Sequence, residues 1–354
     1  MKVTRRDFIT SVAALALSPP LALAKDSPCT LGIATTSIGI RRSWLRKRAA
    51  GSGPALDAEA FLDLCHEFGT DGAQMDYSML TSQDAGYLGR VREGVERRRM
   101  FVELIVDNGA LEDLELLERI GRAAEALGVT RLRVACLPGR RYEDFHDRKS
   151  WDDFAGRWRA ALPRTEPVLR RHKLALGVEN HKDWLTDELV DILRRIGSPH
   201  VGACVDFGNN LALLEDPLET VEKLAPYAVT THVKDNVMAP SPAGFSLGDV
   251  ALGEGVLPLE RMVGVLRRHR PDIHLVLEVI TRDPLTVPYR EDHYWITRER
   301  RDEAAVARFE KAFLRQEPAA PRARISELGD EAALAAENEN LRRSVIYARK
   351  RLRA

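Results

Sequence analysis

Four short apolar runs in the second half of this chain each end in a polar residue. They are Glu179 in LALGVEN, Asp206 in VGACVD, His232 in AVTTHV and Glu278 in IHLVLEV. The runs are β-branched and aliphatic, with no polar alternation, which is how a parallel strand covered on both faces reads. Helical patterns lie between them. Such a set allows few folds, because the ends of consecutive strands surround a common axis only in a closed barrel.

Four earlier runs complete the series. The expected strands are Leu31–Thr35, Gly72–Asp76, Phe101–Val106, Arg131–Cys136, Leu174–Glu179, Val201–Asp206, Val229–Val233 and His274–Val279. Amphipathic segments separate them. Asp57–Phe68 carries a 3.6-residue stripe at Phe61, Leu62, Leu64, Cys65 and Phe68. Leu111–Leu127 stops at Gly128, and Asp187–Ile196 stops at Gly197 with Thr186 as its N-cap. Eight strands alternating with helices predict an α/β fold, a (β/α)₈ TIM barrel with a helical C-terminal extension. A doubly wound open sheet shows the same alternation. However, no GxGxxG follows the first strand, which removes its dinucleotide-binding form. In an open sheet the outer pair of the four strand ends would also lie some ~15 Å apart, at the usual strand spacing of about 4.8 Å.

Two long loops fall on the catalytic face, Pro138–Ser150 and the Pro-, Ser- and Gly-rich Asp235–Gly255. An eighth helix is expected at about Arg298–Arg315. It is followed by a Pro/Ala linker (317–321) and a charged helical tail from about Ile325 to Arg353. That tail either caps the barrel or packs on a second subunit.

At the N-terminus, Thr4-Arg5-Arg6-Asp7-Phe8-Ile9 is a twin-arginine pattern. It precedes an apolar stretch, Val12–Leu23, and a small-x-small cleavage signal, Ala22-Leu23-Ala24. Pro19-Pro20 breaks the stretch, which is too short to span a bilayer in any case. The expected organisation is a twin-arginine signal peptide (1–24), a TIM barrel catalytic domain (25–316) and a helical tail (317–354). The expected location is periplasmic or secreted, with no stable membrane anchor. Lys plus Arg and Asp plus Glu each number 53. That balance argues against the broad basic face of a nucleic-acid binder, and Arg41-Arg42 with Arg46-Lys47-Arg48 reads as a solvated loop. Cys29, Cys65, Cys136 and Cys204 show no metal spacing and read as small apolar core residues.

Three carboxylates and an imidazole make a hard, oxygen-rich donor set. It suits one divalent ion, Mn²⁺ first, with Mg²⁺, Co²⁺ or Zn²⁺ as alternatives. The expected metal ligands are therefore Glu179, Asp206, His232 and Glu278. His181 is a candidate acid/base group at the rim. Lys234 is placed either to hold a substrate oxygen or to neutralise Asp235, and Glu254 in a Gly-Glu-Gly turn to bind substrate hydroxyls. Trp151 and Trp184 stack on a sugar or fill the core.

The motifs GVENH (177–181), CVDFGN (204–209), THVKD (231–235), LGEG (252–255) and LEV (277–279) resemble the xylose isomerase-like TIM barrel superfamily, its sugar phosphate isomerase/epimerase group. The resemblance spans Leu31 to Arg315, and ITRDP (280–284) is similar to exported twin-arginine members. It implies that Glu179, Asp206, His232 and Glu278 bind one divalent metal, and that Glu179 and Glu278 exchange a substrate proton from opposite faces. Asn209 stands where many epimerases and the related DNA-repair endonucleases carry His, and is taken as substrate-binding. The implied activity is a metal-dependent sugar isomerase or epimerase. A lyase or dehydratase on a keto-sugar or oxidised glycoside would use the same enolate. An endonuclease-like phosphodiesterase and a non-catalytic sugar-binding protein are the remaining readings. The expected partner is a small carbohydrate, unphosphorylated if the protein is exported. Nucleic acid is not expected, and homo-oligomerisation is left open.

Overall fold

The computed structural model describes residues 30–48, 56–314 and 324–354. The twin-arginine segment, Cys29 and the linker at 317–321 lie outside them. All eight expected runs form strands, within two residues at each end. These are β1 (Leu31–Ala34), β2 (Gly72–Asp76), β3 (Phe101–Ile105), β4 (Arg131–Val134), β5 (Ala175–Glu179), β6 (Val201–Asp206), β7 (Ala228–His232) and, after a hairpin, β10 (Leu275–Leu277). They pair in parallel in the order β10-β1-β2-β3-β4-β5-β6-β7. The two ends of that sheet meet. The Val233 N–H donates to Val276 O at 2.7 Å, and the Glu278 N–H to Val233 O at 3.0 Å. The sheet is thus closed, and the open-sheet alternative is excluded.

Closure turns alternate residues of every strand into the barrel. Phe101 fills the end beneath β1 and β2, stacked on His274 with centroids 3.8 Å apart. A Cβ at Gly72 would come within 2.3 Å of that ring, so glycine is required there. The outer layer is helical, comprising α1 (Gly39–Arg48), α2 (Ala58–Glu67), α3 (Ala85–Arg98), α4 (Leu114–Leu127), α5 (Arg141–Asp144), α6 (Arg148–Arg171), α7 (Thr186–Ile196), α8 (Pro217–Leu224) and α9 (Leu259–His269). Phe61, Leu62, Leu64 and Cys65 of α2 are buried as their spacing predicts. Gly128 and Gly197 end α4 and α7 with φ of 72° and 61°, the left-handed conformation that stops a helix at low cost.

Some expectations change. Thr186 is not the N-cap of α7. Its hydroxyl bonds Glu215 and Thr220, and the cap position falls to Leu185, whose N–H is taken by Glu188 at 2.9 Å. The segment 235–255 is largely not loop. β8 (Asp235–Ser241) and β9 (Gly244–Val250) form an antiparallel hairpin, extended by β11 (Leu285–Val287). Its breakers, Pro240 to Gly244, gather at the turn, while Met238, Phe245 and Leu247 are buried. The eighth helix starts late, as α10 (Glu303–Phe309), because the Asp302 carboxylate caps it on the Ala305 N–H.

The tail forms α11 (Asp330–Tyr347) and docks on its own barrel. Ala333, Leu341, Val345, Ala348 and Leu352 are buried. Glu337 accepts the N–H groups of Ile40 and Arg41, at 2.7 and 2.9 Å, at the start of α1. Arg349 pairs with Asp71 at 2.8 Å before β2. Among the described residues no helix is long and apolar enough to cross a membrane.

Candidate metal centre

Glu179 ends β5, Asp206 ends β6, His232 ends β7 and Glu278 follows β10, all at the carboxyl ends of the strands. One donor atom from each lies within 4.8 Å of the others. His232 Nδ1 is 3.4 Å from Glu179 Oε1, 3.9 Å from Asp206 Oδ2 and 3.3 Å from Glu278 Oε1. The geometry thus brings together the four residues that the sequence pattern singled out.

Each carboxylate is divided between two tasks. Glu179 Oε2 faces Arg133, Asp206 Oδ1 accepts the N–H groups of Gly208 and Asn209 at 2.9 and 2.7 Å, and Glu278 Oε2 faces Lys234. The second oxygens, Glu179 Oε1, Asp206 Oδ2 and Glu278 Oε1, converge with His232 Nδ1, and two of them carry a further contact. Asn209 donates to Glu179 Oε1 at 2.8 Å, and Lys234 also reaches Asp206 Oδ2 at 2.8 Å.

The imidazole tautomer follows from a buried chain of hydrogen bonds. Glu103, fully buried, is ringed by donors: Thr230 at 2.6 Å, His274 Nδ1 at 2.7 Å and Gln74 Nε2 at 2.9 Å. A carboxylate only accepts, so the Gln74 amide must turn its nitrogen toward Glu103 and its oxygen toward His232. His232 Nε2 then donates to Gln74 Oε1 at 2.7 Å. Its Nδ1 is left aimed at three carboxylates, with no hydrogen-bond partner among the described residues. A buried nitrogen lone pair facing anions requires a cation between them, either a proton or a metal ion. The donor set therefore fits a divalent ion.

The electrostatics agree. Burial pushes His232 down, but the charges of Glu278 and Glu179 outweigh it and raise its pKa to about 9. Burial pushes Glu179 and Glu278 up, yet Arg133 with His232, and His232 with Lys234, hold both carboxyls below the usual range. Asp206 is pushed up to about 6, mainly by burial and against the pull of Lys234. His181, half-buried beside the cluster, is lowered to about 3 by burial and the neighbouring Lys182 charge, and its Nδ1 has no hydrogen-bond partner among the described residues.

Other expected residues fall as follows. Lys234 does not neutralise Asp235. Residues 232 and 234 share the inward face, whereas Asp235 turns away and accepts the N–H groups of Gly253, Gly255 and Leu257. Glu254 pairs with Arg343 of α11. Trp151 and Trp184 are fully buried and meet edge to face at 5.3 Å, in one aromatic cluster with Phe154 and Trp158. Sequence reasoning missed Gln74, Glu103, Arg133 and Lys182. Part of the signal was present: Glu103 is the one polar residue of β3 (FVELI), and Gln74 sits inside β2, whereas Arg133 shares the four-residue β4 (RLRV) with a second arginine and does not stand out.

Residues 62–299 match the family model described as xylose isomerase-like TIM barrel. The chain belongs to that family. It is 30% identical over 114 residues to a 3-oxo-isoapionate decarboxylase of Pectobacterium atrosepticum, a stretch covering 32% of this chain and 42% of that protein. Its fold is similar to D-psicose 3-epimerase, with a TM-score of 0.60 at 11% identity, covering 92% of this chain and all of that one. It is similar also to the 3-keto-D-glucoside 4-epimerase of E. coli, with a TM-score of 0.53 at 15% identity, covering 80% and 99%. At these identities the structural likeness is one of fold. The chain spans less than half the length of the decarboxylase.

Proposed function

We propose that this protein is a divalent-metal-dependent enzyme that isomerises or epimerises a small keto-sugar by proton transfer beside its carbonyl. The observation that carries this reading is the convergence of Glu179, Asp206, His232 and Glu278, with one oxygen of every carboxylate held off by its own donor. These four residues would hold the ion, Mn²⁺ being the first choice for an oxygen-rich set. When bound, it would polarise the substrate carbonyl and so acidify the neighbouring C–H.

The chain's own groups supply the rest. Glu179 and Glu278 stand at the ends of different strands across the cluster, and serve as the pair that removes and returns the proton. Arg133 and Lys234 fix the orientation of these two carboxylates. Asn209 links Glu179 to Lys182, placing an amide between them. His181 stays uncharged at neutral pH and can exchange a hydrogen bond with a substrate hydroxyl. The twin-arginine pattern supports action outside the cytoplasm, on unphosphorylated sugars.

The decarboxylase relative favours a second reading, lyase chemistry through the same enolate. One experiment tests both. Keto-sugars and keto-sugar acids are incubated in D₂O with Mn²⁺ and again with chelator. Deuterium entering without fragmentation supports the isomerase, and release of CO₂ or water supports the lyase. Turnover unaffected by chelation overturns both.

A further inference from the structure

Each basic side chain at these strand ends meets at least one acid, except for Lys182. Arg133 meets Glu179, Lys234 meets Asp206 and Glu278, and Arg282 meets Asp249 at 3.0 Å. Lys182 is only 4% exposed and has no ion-pair partner among the described residues. Its ammonium donates to the amide oxygen of Asn209, which Lys234 also approaches at 3.4 Å. The adjacent Asp183 offers no relief, since it turns away to accept the N–H groups of Trp184 and Leu137, at 2.7 and 3.2 Å. Burial and the Lys234 charge lower the Lys182 pKa to about 8, the mark of an ammonium lacking an anion.

A buried, uncompensated charge is costly unless a ligand neutralises it. The charge balance of the mouth points the same way. Setting aside Asp183 and Asp235, whose carboxylates are taken by backbone N–H groups, its acids Glu179, Asp206, Glu278 and Asp249 are matched in number by Arg133, Lys182, Lys234 and Arg282. A divalent ion on this neutral set, with His232 unprotonated, leaves two positive charges in a buried site. A substrate carboxylate would cancel one, and the negative charge developing on the enolate the other.

We infer that the substrate is an acid, a keto-sugar bearing a carboxylate that pairs with Lys182 beside Asn209. This rests on the reading given under Proposed function and narrows its substrate class.

The test uses the full chain with Mn²⁺ and inert probes followed by calorimetry: D-gluconate, the neutral D-glucitol of equal length, and D-glucitol 6-phosphate. Gluconate is expected to bind about tenfold tighter than glucitol or more, the worth of one charged hydrogen bond. Lys182→Gln should erase that preference, Lys182→Arg should keep most of it, and Mn²⁺ affinity should not fall in either. Since Lys182→Gln removes a buried unpaired charge and leaves the fold's ion pairs intact, its thermal midpoint should match or exceed that of the wild type. Equal binding of gluconate and glucitol overturns the inference, as does a preference that survives Lys182→Gln or one confined to the phosphate. Failure of Mn²⁺ to bind would strike the metal reading alone. The same titrations in chelator then decide the acid site, a Lys182-dependent preference supporting it and its absence overturning it.

Discussion

The Nε2 of His232 lies 2.7 Å from Oε1 of Gln74, and this contact decides which ring nitrogen faces the carboxylates. Gln74 is itself oriented by Glu103, one strand further around the barrel and directly opposite in register. The imidazole is thus set by residues with no carboxylate of the cluster among their partners. Orientation of this kind typically matters almost as much as the ligand itself.

Gln74→Leu removes the acceptor while preserving bulk. Mn²⁺ affinity should fall by about 10- to 100-fold, read by calorimetric titration. An unchanged affinity would detach His232 from the proposed ion.

Metal binding should release a proton. At pH 7.5 the metal-free His232, raised to about 9, is protonated, and ligation through Nδ1 displaces that proton. Apparent binding enthalpy, plotted against the ionisation enthalpy of the buffer, should therefore have a slope of nearly one proton in magnitude. The stability of the chelated protein should follow the same group. The contribution of His232 is complete below its unfolded pKa of about 6.5 and is lost as pH rises through about 9. Chelated protein should thus melt progressively lower from about pH 6.5 until Lys182, lowered to about 8, begins to act in the opposite sense, and Mn²⁺-loaded protein should not show that fall.

Glu179→Gln and Glu278→Gln keep shape and lose proton-transfer capacity. With saturating Mn²⁺, each should reduce solvent deuterium exchange into substrate by about 10²- to 10⁴-fold. A double variant exchanging at the normal rate would refute the assigned pair.

Glu337 is 1% exposed and holds two N–H groups at the start of α1. Glu337→Ala should cost roughly 1–3 kcal/mol, because both donors lose their partner in a mostly buried setting. Scanning calorimetry should show a melting temperature lower by several degrees. Glu337→Gln, which keeps one acceptor oxygen, should lose less.

The sequence carried the barrel and its four strand-end groups. Both are encoded locally: an uninterrupted apolar run marks a buried parallel strand, and a polar residue at its end marks the mouth. The tail's helix was legible for the same reason. Its docking on α1 was not, because that depends on Glu337 meeting backbone groups almost 300 positions away along the chain. The hairpin of β8 and β9 was hidden by the breakers at its turn, which dominate composition over so short a span.

What only the tertiary structure decided was the pairing of charges. Lys234 next to Asp235 suggests a local pair, but inward alternation sends it to Asp206 and Glu278 instead. Gln74 and Glu103 stand out in their strands, yet nothing local says that they bond each other and orient His232. Lys182 is an ordinary lysine until the barrel closes around it and every nearby acid proves to be engaged elsewhere. Burial pattern is written into each segment by its own side chains. The choice of partner is made by closure of the sheet, which brings distant strand ends within a few ångströms, gives Lys234 two acids and leaves Lys182 without one.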